Sequence, residues 1–428
     1  MAFKKHDRQY DVVVFGATGY TGLMTAEHIA ATFPTNTRWA VAGRSADKLQ
    51  HVVSECQKIN QDRLAPAVEV CNLNDADLAQ LARKTCVLIS TVGPYAKYGE
   101  HAFKACAEAG THYLDCTGEA VWTLDMITKY EATAKRSGAC LISQNGVESA
   151  PSDVMAYVLA QTIKKELEAD TGDVVVSVHT FKAKASGGTF ATALNLFESY
   201  GLRQIGESHK PYALSPVKSS EPTPRASIFS MLTGLYNIPV LGTVCTSIAS
   251  RTNAAIVFRS WGLAKSEPAL SKQYYGPKFT YREFMRPKSK LHGVIMHYGI
   301  IYAGLLLAFV PPFRALLRRF YYQPGQGPER ESTHKDQIEL RGVATPDFSA
   351  WERQPPAGKA RQLAYARGNW NGSMYLLTAM LLGQAALTML EDDVPMVGGV
   401  YTPATLGQGF IDRIDDRGFK IESELVDA

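Results

Sequence analysis

The sequence predicts an α/β chain in which a doubly wound parallel sheet is followed by a second α+β domain. Three observations carry this expectation. From residue 11 to about residue 150 apolar runs alternate with helical segments, the pattern of parallel strands covered on both faces. The first run, Asp11-Val-Val-Val-Phe15, leads into Gly16-Ala-Thr-Gly19-Tyr-Thr-Gly22 and then into apolar residues at helical spacing. From about Asp173 the pattern changes, with the strand-like stretch Val174 to Phe181 and then Ser186-Gly-Gly-Thr189 opening a new helix.

Val12 to Phe15 reads as a buried strand, and Leu23, Ala26, Ile29 and Ala30 predict a helix over Thr21 to Thr32. Trp39-Ala-Val-Ala-Gly43 supplies a second strand and completes a βαβ unit. The intervening turn has the glycines of a Rossmann-type phosphate cradle. Gly16 allows the tight turn, Gly19 lets backbone N–H groups approach a pyrophosphate, and Gly22 lets helix and strand pack closely. Ala17, Thr18, Tyr20 and Thr21 complete the cofactor-binding turn. Further strands are expected at 68–72, 86–91, 112–115 and 139–143, and domains at 1–172, 173–372 and 373–428. The stretches around Pro211, Pro216, Pro222 and Pro224, and from Gln323 to Gly358, read as surface loops.

The end of the second strand selects the cofactor. NAD-binding chains place a carboxylate there against the ribose 2′-hydroxyl; this chain has Gly43-Arg44-Ser45. A guanidinium fork suits a 2′-phosphate, with Ser45 and Lys48 to assist, so NADP(H) is expected. Asp75, after the third strand, either approaches the adenine or caps a surface helix. Gly93 and Pro94 follow the fourth strand at the cofactor edge. Tyr95 and Tyr98 are candidate proton donors there, or else pack on the cofactor. The next edge loop, Asp115-Cys-Thr-Gly-Glu119, adds Glu119 as a catalytic candidate, whereas Asp153 reads as a helix-start residue.

Composition bounds the rest. With 428 residues, 46% hydrophobic and 20% charged, the chain is long enough for two domains. A net charge of +4 without basic, aromatic-interleaved blocks argues against nucleic acid. Seven cysteines without paired metal-ligand spacing suggest a reducing, intracellular setting and no metal. The first strand begins within about ten residues of Met1, which leaves no room for a signal peptide. Leu291 to Phe313 is a run of 23 residues free of Asp, Glu, Lys and Arg, flanked by Arg282, Arg286, Lys288 and Lys290 and by Arg314, Arg318 and Arg319. Two readings stand: a segment dipping into one leaflet of a membrane or lipid-droplet surface, or an apolar helix buried in a cytoplasmic protein's second domain or in a homodimer interface.

These residues resemble the saccharopine dehydrogenase-like oxidoreductases, which include the trans-acting enoyl reductases of lipid and polyketide synthesis. The likeness rests on the glycine turn 16–22, Ala40-Val-Ala-Gly-Arg44, Val92-Gly-Pro-Tyr95 with Tyr98-Gly-Glu100, Tyr113-Leu-Asp-Cys-Thr-Gly-Glu119, Ser149-Ala-Pro-Ser-Asp153 and Gly398-Gly-Val-Tyr-Thr-Pro-Ala404. The resemblance implies an NADPH-dependent oxidoreductase whose C-terminal segment returns to the nucleotide-binding domain. It implies an enoyl or related conjugated substrate, small and lipophilic or borne on a carrier. An amino-acid dehydrogenase of saccharopine type, and a low-turnover NADP-binding scaffold at a lipid surface, remain the alternatives.

Overall fold

Six apolar runs in the first 150 residues become strands: β1 (Tyr10–Phe15), β2 (Trp39–Gly43), β3 (Ala67–Val70), β4 (Thr85–Ser90), β5 (His112–Asp115) and β6 (Cys140–Ile142). This computed structural model describes residues 3–183, 194–219, 224–317, 327–333, 335–351 and 357–427. The expected helix opening at Ser186 to Thr189 lies outside the described residues, as does Pro222. The third strand stops at Val70, short of the expected residue 72, because Asn72 and Asn74 turn the chain into the next helix. The Asn72 N–H donates to Asp77 at 2.9 Å, and the Asn74 side chain caps by accepting from the Asp77 N–H at 2.9 Å.

The second domain adds β7 (Asp170–Lys182), β8 (Leu235–Ile238), β9 (Gly242–Thr246), β10 (Thr280–Met285), β11 (Gln337–Asp347) and β12 (Gln362–Asn371). Two short C-terminal strands follow, β13 (Gly399–Tyr401) and β14 (Lys420–Asp427). The first sheet runs in the order β13-β6-β5-β4-β1-β2-β3 and is wholly parallel. The second runs β14-β12-β11-β7-β10-β9-β8 and is antiparallel except for the pair β7 and β10. At the centre of the first sheet Val12, Val13 and Val14 are fully buried, as a strand covered on both faces requires.

Helices α1 (Tyr20–Thr32), α2 (Ala46–Ile59) and α3 (Asp75–Lys84) connect the first four strands. After β4 come the single turn α4 (Tyr95–Tyr98) and α5 (Glu100–Ala109), then α6 (Ala120–Ser137) and α7 (Ala150–Thr162). The segment after residue 373 serves both domains. Its helix Met374–Glu391 packs on α1, with Gly383 against the His28 ring, β13 pairs with β6, and β14 closes the edge of the second sheet beside β12.

Asp153 is a fastening group rather than a cap. It lies in the first turn of α7, fully buried, and accepts from Ser260 Oγ at 2.5 Å and from the Ala404 N–H at 2.8 Å. Arg259, on the helix Ser250–Ser266, ties the same region from the other side. Its buried guanidinium donates to the Leu214 carbonyl, to the Val400 carbonyl at 2.6 Å, and to Glu131 at 2.9 Å. Arg259→Met removes the donor from two buried carbonyls and should lower unfolding free energy by about 3 kcal/mol. A urea midpoint unchanged from that of the parent chain would contradict this role.

Candidate nucleotide-binding and active site

The cradle is built from backbone. Gly16 sits at φ +87°, and a Cβ there would lie 2.7 Å from Val92 Cγ2. A Cβ on Gly22 would stand 2.2 Å from the Gly16 carbonyl oxygen and 2.7 Å from Thr91 Oγ1. Thr91 completes the clasp: its hydroxyl donates to the carbonyls of Phe15 at 3.1 Å and Gly16 at 3.2 Å, tying the end of β4 to the turn. Helix α1 starts without a side-chain cap, since its N-cap is Gly19. The N–H groups of Tyr20, Thr21 and Gly22 therefore point out of the helix end, unsatisfied by the helix and reinforced by its dipole. A pyrophosphate fits this cradle, and a side chain at 16 or 22 would fill it. Ala17 is buried beneath the turn and Thr18 is exposed on it. Tyr20 turns aside, its hydroxyl donating to the Pro328 carbonyl at 2.7 Å and its ring edge-on to Tyr375.

At the end of β2, beside this turn, Arg44 and Lys48 are exposed and hold no side-chain partner among the described residues. Ser45 is the N-cap of α2, with its hydroxyl uncommitted to the helix. All three are free to meet a 2′-phosphate. Asp75 is placed differently. Its carboxylate bridges Lys104 at 2.6 Å and His101 at 2.5 Å on the protein surface, hydrogen bonds that pull its pKa below the usual range. The cap of α3 is Asn74, and Asp75 joins α3 to α5.

At the carboxyl edge, Gly93 and Pro94 lead into α4, and the structure redirects Tyr95. Its ring is buried against Trp122, and its hydroxyl donates to the Ser90 carbonyl at 2.8 Å, with Cys116 Sγ at 3.4 Å. Burial pushes this phenol well above its ordinary pKa. The Tyr95 proton is thus committed inside the sheet, where the side chain serves packing. Tyr98 is 44% exposed. Glu119 is buried and caps α4 from a distance, accepting from the N–H groups of Tyr95 at 2.9 Å and Ala96 at 2.8 Å. Burial raises its pKa to about 7 against the pull of those two donors. Asp115 ties the edge loops together, accepting from the N–H groups of Gln144 at 2.9 Å and Thr117 at 3.0 Å and from Ser143 Oγ at 3.0 Å. Burial lifts the Cys116 thiol to about 12, which leaves it un-ionised.

Two carboxylates escaped the sequence reading. Glu283 on β10 is buried and accepts from Ser152 Oγ at 2.7 Å, Tyr281 Oη at 2.9 Å and Asn253 Nδ2 at 3.0 Å. It also lines a cavity of about 270 Å³ with Tyr236, Arg251, Phe258 and Phe284. Glu148, in the loop after β6, has no hydrogen-bond partner among the described residues. Only its place in a loop at the carboxyl edge signals it in the sequence, since such loops carry sites on this kind of sheet.

Residues 12–142 match the family model of the saccharopine dehydrogenase NADP binding domain. The trans-acting enoyl reductase of Mycobacterium ulcerans is 30% identical over 437 residues, spanning 97% of this chain and 98% of its own. That of Mycobacterium bovis is 30% identical over 441 residues, spanning 96% of this chain and 97% of its own. The chain belongs to the saccharopine dehydrogenase-like family of trans-acting enoyl reductases. It is an NADP-dependent oxidoreductase, and its cofactor is a nicotinamide dinucleotide. The fold is shared with saccharopine dehydrogenase (L-Glu forming) of Saccharomyces cerevisiae, at 12% identity and a TM-score of 0.56 over 97% of this chain and all of that one. It is shared also with a homospermidine synthase of Legionella pneumophila solved with NAD, at 9% identity and a TM-score of 0.53 over 99% of this chain and 92% of that one.

If this family member reads the 2′-phosphate through Arg44, Arg44→Asp should weaken NADPH binding about 30-fold or more, the worth of one charge-assisted bidentate contact, and leave NADH binding within about twofold. Fluorescence titration with both nucleotides checks it; equal losses would refute the assignment.

Proposed function

We propose that this chain reduces the carbon–carbon double bond of an enoyl or related conjugated, lipophilic substrate, using NADPH. The observation that carries the reading is the span of the likeness to trans-acting enoyl reductases. It runs through the second domain as well as through the nucleotide-binding sheet. When bound, the cofactor supplies the hydride, and the protein's task is to position the acceptor, exclude water and move one proton. The cleft chemistry weighs against a saccharopine-type reaction. Glu283 and Glu119 both act electrostatically on Glu148, and such a group of acids disfavours a substrate carrying several carboxylates. An uncharged acyl thioester meets no such penalty.

The second domain also presents apolar surface in quantity. The helix Lys290–Phe309 has a mean hydropathy of 1.6, and only 6% of its apolar window is buried. Leu291, Ile295, Tyr302 and Phe309 are each at least 60% exposed, and so are Ile228, Phe229, Met231 and Leu232 on the neighbouring helix Ile228–Thr233. Tyr298 Oη donates to the Leu232 carbonyl at 2.9 Å and holds the two helices together. Patches of this size on a soluble chain mark an interaction surface. Arg286, Lys288 and Lys290 precede it and Arg314 follows it, a charge distribution suited to anionic lipid. The proposed surface is a lipid one, from which the apolar substrate would be drawn.

Two measurements test the reading. NADPH should be consumed when an enoyl thioester is supplied and not when an oxo acid and an amino acid are supplied; the reverse result would overturn it. The triple variant Ile295→Glu, Tyr302→Glu, Phe309→Glu alters exposed positions only and should abolish co-flotation with phosphatidylserine-containing vesicles while NADPH still binds. Undiminished flotation would exclude this face.

A further inference from the structure

We infer that Glu148 is the group that gives the substrate its proton, an assignment that rests on the enoyl-reductase reading of the same cleft. The reaction needs a donor on the nicotinamide side of the sheet. Beyond the crevice between β1 and β4, that side is formed by the loops after β4, β5 and β6. Two donors suggested by the sequence are already engaged. Tyr95 donates into the sheet, and Glu119 accepts from two backbone N–H groups.

Glu148 satisfies the requirement that those side chains miss. It follows β6 at the same edge, where its side chain is open to solvent. Its carboxylate lies directly over the loop after β5. A Cβ on Gly118 would fall 2.0 Å from Glu148 Oε2, so the glycine makes the seat in which the carboxylate rests. The loop beneath is held rigid: Gly146 packs with its Cβ position 2.9 Å from Cys116 Cβ, and the Asn145 N–H donates to the Asp115 carbonyl at 2.8 Å. The adjacent Val147 N–H donates to Thr378 Oγ1 at 3.2 Å, fixing the loop to the helix Met374–Glu391.

The surroundings also set the proton affinity. The charged groups that face Glu148 are Glu283 from β10 and Glu119 from the start of α6, both carboxylates. Burial first, and these two charges after it, push its pKa up to about 7. An acid so tuned is largely protonated just below neutrality and gives up its proton readily there, which suits a general acid. The step balances. The hydride that NADPH would supply, its C–H bond breaking to leave NADP+, adds to the β-carbon of the enoyl group, and the π-electron pair shifts toward the carbonyl. The Glu148 O–H bond then breaks as a C–H bond forms at the α-carbon, and the resulting carboxylate recovers its proton from water.

The test compares the parent chain with Glu148→Gln and Glu148→Asp. Glu148→Gln should lower kcat for enoyl-dependent NADPH oxidation about 100-fold or more, with NADPH affinity unchanged within about twofold. Parent kcat should fall as pH rises through about 7, where the acid loses its proton; this limb should vanish in the Gln variant and return, with part of the rate, in the Asp variant. Independently of turnover, infrared difference titration should show one fewer carboxyl ionising near pH 7 in Glu148→Gln than in the parent, the ionisation of Glu119 remaining. The assignment is overturned if Glu148→Gln keeps the parent rate and pH limb, if it loses NADPH binding along with activity, or if no carboxyl band disappears. A parent enzyme that oxidises NADPH with no enoyl thioester defeats the underlying reading itself, and is recognised because the failure precedes any substitution.

Discussion

At Gly22 the first turn of α1 rests against the Gly16 carbonyl so closely that no Cβ could be accommodated, and Thr91 bonds to the same carbonyl from β4. That three-way approach determines where the helix end lies relative to the sheet. It aims three uncapped N–H groups and the positive end of a helix dipole at the crevice between β1 and β4. The remaining site follows from it by adjacency. Arg44 and Ser45 leave β2 on one side of the turn, and the loops that carry Glu119 and Glu148 leave β5 and β6 on the other. A nucleotide seated by the turn would have the exposed Arg44 on one side and the loops carrying Glu119 and Glu148 on the other.

Three buried acids organise the structure around this site. Asp115, Asp153 and Glu283 are each enclosed, and burial raises the pKa of each above the ordinary carboxylate range. Burying such groups is costly unless donors surround them. Here the donors come from distant parts of the chain: Ser260 and Ala404 for Asp153, Ser152 and Asn253 for Glu283, and Gln144 for Asp115. These bonds join α7, the helix Ser250–Ser266, β10 and the C-terminal segment into one wall of the cleft. Glu148 differs from them in having no donor, which is why its proton is available for chemistry.

Much of this was legible in the residues. A run such as Val12 to Phe15 has few alternatives to a buried strand, and a strand–glycine–helix sequence specifies the cradle by local geometry. What was illegible depends on contacts between distant segments. The direction of the Tyr95 ring is decided by Trp122 and the Ser90 carbonyl, and the value of Glu148 by the empty side of Gly118, none of which leaves a periodic trace. Two apolar helices make the same point. Met374–Glu391 has a mean hydropathy of 1.3 and its apolar window is 89% buried, packing on α1, whereas Lys290–Phe309 at 1.6 is 6% buried. Composition alone does not distinguish them. The returning C-terminal segment likewise read as part of the nucleotide domain, yet its last strand, β14, completes the second sheet.

Hydrogen–deuterium exchange, followed peptide by peptide with NADPH and then with NADH, tests the central claim most directly. The account predicts that both nucleotides slow exchange across residues 16–22, where the free N–H groups of α1 receive the pyrophosphate, and that only NADPH slows it across residues 44–48. Protection that bypasses the glycine turn, or that is the same for both nucleotides at Arg44, would contradict it.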